Sequence, residues 1–533
     1  MKKIAFLVMA LTLISKFTGF FREVVLGYFY GATDISDAYN ISITIPRTIF
    51  RFAGSALKAA FIPLYIRIQK EHGEGHANRF TNNILNIVFL FATLIVIVTL
   101  LFPEQVVFVF ASGFEGEVLD TTVTFIRITV FSLYFVSFVS VFKPFLHTKD
   151  NYTIPAIIGL PMNIMIIAGI AISSQFDPVY MAVGYLIAML SQAVLMLPFV
   201  LKNKFFYRFQ LEIKDKHVKM FFLMIVPILI SVGVADINKI VAQNIASNIG
   251  EGAVSAMNYA KRLNGFIQGI IFLGITTAMF PLISRMASKQ DIKGLKKTLR
   301  ESVNLAVILV LPASIGALLF AREIVSLVFE RGAFDERAVA MTTSALFFFA
   351  FGFLAKGLKQ VFKRAFFSLG DTKTPLVNAI ITITVVTSLS LLSYFFTDLG
   401  VGGLALAQSL SAIVTALFLM YLLRRKIGRL GYKNMLTVFI KVLIASIIMG
   451  IVARVAYYYA TIHVPLPQDL LTIGAIALGA GVYGGLIFFM RIEDVDILVD
   501  TFKSKFKKIF GKNGADGEVD EEETPYDSID FDE

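Results

Sequence analysis

The chain has 533 residues, 56% of them hydrophobic, and 49 Lys and Arg against 38 Asp and Glu give it a net charge of +11. A mean hydropathy of +0.74 is too high for a soluble domain, and the long, unalternating apolar runs exclude a β-barrel, which leaves a polytopic α-helical membrane protein. With no Cys there is no disulfide, no thiolate metal site and no cysteine nucleophile, and no Walker A loop or GxSxG elbow is present.

The first residues, MKKIAFLVMALTLIS, look like a signal peptide but lack a small-residue cleavage site, and the apolar run resumes after Lys16. We read them as an uncleaved first helix. A hydrocarbon core about 30 Å thick needs roughly 20 helical residues. On that ruler fourteen spans are predicted, at about 4–31, 36–68, 80–102, 120–146, 154–174, 178–201, 218–245, 253–284, 301–320, 337–366, 375–396, 401–423, 436–460 and 468–490. The loops 202–219, 285–300 and 424–433 are rich in Lys and Arg, whereas Glu104 to Asp120, Ser247 to Gly252 and Phe396 to Gly400 are not. The positive-inside rule then puts both termini in the cytoplasm. The basic excess therefore belongs to a membrane surface, and no nucleic-acid partner is expected.

The stretch from Ser15 to Arg67 stands out. It is apolar enough for a bilayer yet carries Lys16, Arg22, Glu23, Asp37, Arg47, Arg51 and Lys58, with Gly19, Gly27, Gly31, Pro46 and Gly54 interrupting it. A charge at the bilayer centre costs at least about 2.5–3.5 kcal/mol on insertion scales, so these groups should face one another or a wet cavity. Arg22, Arg51 and, in the eighth span, Arg262 are the candidates for gripping an anion, because a guanidinium matches phosphate oxygens with two parallel donors. Lys16, Lys58, Lys239 and Lys261 widen the cationic surface, with snorkelling to an interface as the alternative. Lys356, Lys359 and Lys363 share a helical face at i, i+3 and i+7, which suits an entry patch or a simple inside-flanking cluster. Asp37 opens the second span, either paired with a cavity cation or capping the helix. Asp236 is a candidate for holding Na⁺ or H⁺, with an Asp236–Lys239 ion pair as the alternative. Asn163, Gln192 and Asn378 are predicted to bond between helices. The five His fall in or beside loops and predict no metal site.

Two short echoes mark a duplication. Phe61-Ile62-Pro63-Leu64-Tyr65-Ile66-Arg67 ends the second span and Met279-Phe280-Pro281-Leu282-Ile283-Ser284-Arg285 the eighth; Asn151 to Pro155 and Asp371 to Pro375 open the fifth and eleventh. The predicted fold is all-α, with two six-helix lobes in parallel pseudo-repeat, 1–215 and 216–430, plus two extra helices in 431–491. Residues 492–513 read as a basic amphipathic segment on the membrane surface, and 514–533 as an acidic disordered tail.

These motifs carry a family resemblance. Ser15-Lys16-x-x-Gly19-x-x-Arg22-Glu23, Gly31-Ala32, Ser36-Asp37-Ala38-Tyr39, and Pro46 with Arg51 to Pro63 resemble the opening of the MurJ (MviN) lipid II flippases. Asn258 to Leu263, Leu327 to Phe334, Asp371 to Pro375 and Gly402 to Ala407 resemble further signatures of that family. The resemblance implies a fourteen-helix fold of the MOP exporter superfamily in the bacterial cytoplasmic membrane, and no enzyme activity. It implies passage of undecaprenyl-diphosphate-linked peptidoglycan precursor (lipid II) to the outer leaflet, with Arg22, Arg51 and Arg262 in the cavity, the last two helices as a groove for the lipid tail, and cell-wall synthesis machinery as a partner. The chain departs from the family at Lys16, where Arg is frequent, at Lys261, where some members have an acid, and at Gly54-Ser55, which replaces a Glu-Gly pair. Some relatives bind Na⁺ with acids from the seventh and eleventh helices; the resemblance puts Asp236 and Asn378 in part of that set, but Thr382 stands where an acid is expected. No cofactor is expected beyond Na⁺ or H⁺ coupling. The alternatives are a flippase for another undecaprenyl-linked saccharide and a cation-coupled multidrug exporter.

Overall fold

The computed structural model describes residues 2–490, less the side chains of 2–6, 51–56, 227–232, 234–235 and 270–278. The two tail segments, 492–513 and 514–533, lie outside the described residues. Nineteen helices and no strand occur among the described residues. The first half runs α1 Lys2–Tyr30, α2 Asp34–His72, α3 Glu74–Leu101, α4 Pro103–Phe110, α5 Gly116–Thr129, α6 Ser132–Thr148, α7 Thr153–Ile157, α8 Gly159–Ser173 and α9 Val179–Lys202. The second runs α10 Lys216–Ser247, α11 Ala253–Ser288, α12 Ile292–Leu319, α13 Ala321–Phe329, α14 Glu336–Ala350, α15 Phe353–Ser368, α16 Lys373–Phe396 and α17 Gly400–Ile427. The chain ends in α18 Tyr432–His463 and α19 Gln468–Phe489.

Eight of these units are long and apolar enough to cross a membrane, and the bent pairs α5–α6 and α14–α15, kinked by 45° and 47°, raise the number to ten. The expectation of fourteen counts four more, α1, α2, α10 and α11, which at 29, 39, 32 and 36 residues have the length of a span. In each half a long third helix (α3, α12) is followed by a short one (α4, α13) and then by a bent pair. The short helices correct the reading of 104–120 and 321–336 as loops. Each is too brief to span, and Pro103 starts α4 where a helix tolerates proline.

The core shows how the halves meet. One apolar cluster joins them at one end, with Tyr30 and Phe110 from the first half against Tyr259, Phe329 and Phe334 from the second. At the other end, where the basic loops lie, the cores are separate. Tyr65, Phe80 and Phe145 pack in one, Leu299, Phe366 and Leu423 in the other.

At the joined end the α1–α2 turn lies against the α10–α11 turn. Gly31 and Gly252 have φ of +56° and +74°, and a Cβ on Gly252 would lie 2.0 Å from the Ala32 carbonyl oxygen. Backbone there touches backbone, which only glycine permits. Tyr259 Oη donates to the Gly31 carbonyl at 2.8 Å, and Ala333 N–H to that of Tyr28 at 2.8 Å.

The connection 203–215 between the halves is held along α3 by asparagine side chains. Asn82 accepts from Arg208 N–H at 3.0 Å and donates to the Phe206 carbonyl at 3.1 Å. Asn83 makes the same exchange with Glu212, both bonds 2.9 Å, and Asn86 donates to the Gln210 carbonyl at 2.8 Å. Each amide thus satisfies extended backbone that has no strand partner.

Candidate substrate cavity

Between the halves, open toward the separated cores, lie two adjoining cavities of about 750 and 830 Å3. The first is lined by six cations, Arg47, Lys58, Lys143, Lys239, Lys261 and Arg262, and one acid, Glu23. The second adds Lys16 and Arg22 to Arg47, Lys261 and Arg262, with no acid.

The centre of this surface is an ion triad. Arg22 and Glu23 are neighbours on α1 and are both buried, at 6% and 5% exposure. Glu23 Oε1 accepts from Arg22 Nη2 at 2.6 Å and sits 3.2 Å from Nε of Arg262, which reaches in from α11 of the other half. Arg22 Nη1 also donates to Asn163 Oδ1 on α8 at 3.2 Å. Asn163 in turn donates to Ser15 and Thr18 on α1. Arg22 is thereby fixed in place, while the Arg262 side chain stays 49% exposed to the cavity. Breaking a buried pair of this kind leaves an uncompensated charge, at a cost of about 3–5 kcal/mol. Arg47 faces both cavities, its guanidinium 5.4 Å from the centre of the Tyr185 ring.

The structure therefore brings Arg22 and Arg262 together and puts Lys16 and Lys58 on the same walls. Arg51 lies in α2, with its side chain outside the described residues. Asp37 is a correction. It lines neither cavity, but sits at the joined end, 1% exposed, accepting from Ser255 N–H at 2.7 Å and Val254 N–H at 3.3 Å. It caps a helix, though not its own. The cap is on α11, whose own N-cap residue, Gly252, has no side chain to offer. Asp236 and Asn378 are buried on α10 and α16, which pack together, and the Thr382 hydroxyl accepts from Lys359 Nζ at 2.7 Å. Asn163 makes its expected interhelical bonds, whereas Gln192 reaches only Met189 of its own helix and lines the first cavity.

Arg47, one of the charges expected to face a wet cavity, does so, whereas Glu23 as the link between two arginines and Lys143 as a lining residue are additions to the sequence reading. The histidines need a correction too. His72 at the end of α2 and His217 at the start of α10 come together, and with Glu71 their ligand atoms lie within 4.8 Å of one another. Glu71 is already held by Arg67 Nε at 2.8 Å, and none of the three lines either arginine cavity.

Comparison with known proteins fits this geometry. The profile described as lipid II flippase MurJ matches residues 26–474. The probable lipid II flippase MurJ of Rickettsia prowazekii (strain Madrid E) is 28% identical over 91% of this chain and 97% of its own length. The lipid II flippase MurJ of Burkholderia cenocepacia (strain ATCC BAA-245 / DSM 16553 / LMG 16656 / NCTC 13227 / J2315 / CF5610) is 26% identical over 90% and 96%. Among solved structures, a lipid II flippase MurJ in an inward closed conformation superposes with a TM-score of 0.77 at 24% identity, covering 91% of this chain and 99% of that one. An inward-facing multidrug transporter of the MATE family, MOP superfamily, superposes at 0.67 and 14% identity over 80% and 98%, so the fold extends to proteins of another family. With the family signature matched over residues 26–474, most of the chain, the chain belongs to the lipid II flippase MurJ family.

Proposed function

We propose that this chain moves lipid II across the bacterial inner membrane, from the cytoplasmic to the outer leaflet, by alternating access of the cationic cleft. The observation that carries the reading is the convergence of Arg22 and Arg262, one from each half, on a single carboxylate at the cavity wall. A diphosphate entering there competes with Glu23 for the half-exposed Arg262, while Arg22 and Arg47 keep the local charge positive. Guanidinium forks suit phosphate oxygens. A cation-coupled drug exporter would need an acidic, aromatic wall, and this wall is basic.

In this reading residues 1–215 and 216–430 rock against each other, and the basic-loop end faces the cytoplasm with both termini. The joined end then seals the outside, and the cleft opens inward. The prenyl chain stays in lipid. The pocket of about 300 Å3 between α12, α18 and α19, lined by Pro312, Gly316, Phe320, Met449, Gly450 and Gly479, is apolar enough to hold part of it. The driving force is the membrane potential acting on the charged cleft, worth about 2.3 kcal/mol per elementary charge per 100 mV. Lys359 supports this choice over Na⁺ coupling, because its ammonium already takes the Thr382 hydroxyl beside Asn378.

Depletion with complementation tests the function. Arg22→Ala and Arg262→Ala, expressed at normal levels, should fail to restore lipid II at the outer surface. Normal export by both variants would overturn the reading, as would continued peptidoglycan synthesis without the protein.

A further inference from the structure

A third cavity, of about 300 Å3, lies in the second half between α10, α11, α15, α16 and α17. Lys356, Lys359 and Lys363 of α15 line it together with the amides of Asn238, Gln268 and Gln408. Their i, i+3, i+7 spacing puts the three ammonium groups on one face. All three are partly buried. Lys359 Nζ donates to Thr382 Oγ1 at 2.7 Å and to Thr415 Oγ1 at 3.0 Å, and Lys356 Nζ lies 4.7 Å from the centre of the Phe349 ring. No carboxylate among the described residues pairs with any of the three.

That differs from the arginine site, where Glu23 neutralises part of the charge before any ligand arrives. Buried cations without a counter-ion point to a ligand or pathway. The chemistry of the wall is also different. Lysines are point charges without a fork, and the groups beside them are carboxamides and hydroxyls, which exchange hydrogen bonds with peptide groups. Lys261 joins the two regions. It lines both arginine cavities, and it is close enough to Lys356 for the two charges to repel. Lys261 thus stands between two unlike cationic sites.

We propose that the α15 lysine cavity binds the carboxylate-bearing peptide portion of the transported headgroup while the arginine site holds its diphosphate. The inference rests on the lipid II reading above and deepens it: the ligand is recognised at both of its acidic ends. A headgroup without free carboxylates then loses one of two holds.

The test is equilibrium binding to the purified full chain in nanodiscs, with three probes: lipid II with a free peptide stem, the same lipid with its stem carboxylates amidated, and undecaprenyl diphosphate, which has neither sugar nor peptide. Lys356→Met with Lys359→Met should weaken lipid II binding tenfold or more and leave undecaprenyl diphosphate unchanged. Amidated lipid II should bind the wild type about as weakly as intact lipid II binds the variant. Lys356→Gln with Lys359→Gln, checked by thermal melting, gives the same reading should the Met pair fold poorly. Unchanged lipid II affinity overturns the proposal, and so does an equal loss for all three probes, which would mean diffuse charge rather than a site. Failure of the lipid II reading looks different. There the wild type binds none of the probes, or Arg22→Ala alters none of them.

Discussion

The two ends of the cleft are built from different materials. At the joined end, backbone meets backbone across the halves. Gly252 lies under the Ala32 carbonyl, Tyr259 bonds to Gly31, and Asp37 of one half caps α11 of the other. At the basic-loop end each half keeps its own apolar core and the space between is cationic. A seal of apolar packing stitched by a few short directional bonds comes apart all at once, whereas two complete cores lose nothing when they part. The molecule is therefore cheap to open at one end and switch-like at the other.

The largest effect should come from spoiling the glycine contact. Gly252→Val puts side-chain atoms where the Ala32 carbonyl lies, in a backbone conformation that Val avoids, so the joined end cannot form and complementation should be lost. Asp37→Ala should be milder. It leaves two N–H groups of α11 without an acceptor, at a cost of about 1–3 kcal/mol, which raises the population open at that end about fivefold or more. Paired spin labels can read this distance cleanly, because the chain has no native Cys. An unchanged distance distribution in Asp37→Ala would mean that apolar packing alone holds the seal. Tyr259→Phe removes one bond to Gly31 and should shift the same distribution by about 1 kcal/mol.

The smallest effect belongs to the other end. Asp371 caps α16 through Thr374 N–H and is bonded to Lys426 Nζ at 2.7 Å, both within the second half. The Lys426 ammonium, with the Thr374 N–H, holds the Asp371 carboxyl down from its usual 3.8 to about 2. Its contribution is complete above the ordinary carboxylate range and is lost as pH falls through about 2. Asp371→Asn should cost at most about 1 kcal/mol in a thermal melt at neutral pH and flatten the acid limb of that melt. It should not move the spin-label distances at the joined end. A shift there would show that the two ends are coupled through α16.

Much of this was legible in the sequence, for a physical reason. Apolar runs of bilayer length and the charges stranded inside them are local properties, so the long helices and the cations of the cavity could be read directly. Arg22 and Arg262 were legible because an arginine in an apolar helix has to face something wet or anionic. The partner was not. Glu23 looks like a local companion of Arg22, and nothing near it in the chain signals that it also meets a guanidinium 239 positions away. Asp37 carries a helix-capping signal at the start of α2, but the helix it caps belongs to the other half, where Gly252 leaves a vacancy. The kinks at the α5–α6 and α14–α15 junctions are set by what packs beside them. Gly352, for instance, lies against Ser409 of α17, a contact that the local pattern does not encode.

The asparagine ladder on α3 changes where bending can happen. A free segment as long as 203–215 could stretch about 40 Å and would let the halves drift. Pinned by Asn82, Asn83 and Asn86, it has no slack, and the first turns of α10 are pinned as well, since Val218, Phe221 and Ile225 belong to the preceding half's core. In the rocking motion proposed above, the swivel then falls inside α10, beyond Ile225. Cutting the loop with a protease should accordingly leave the rocking motion intact, whereas stiffening the middle of that one helix should stop it.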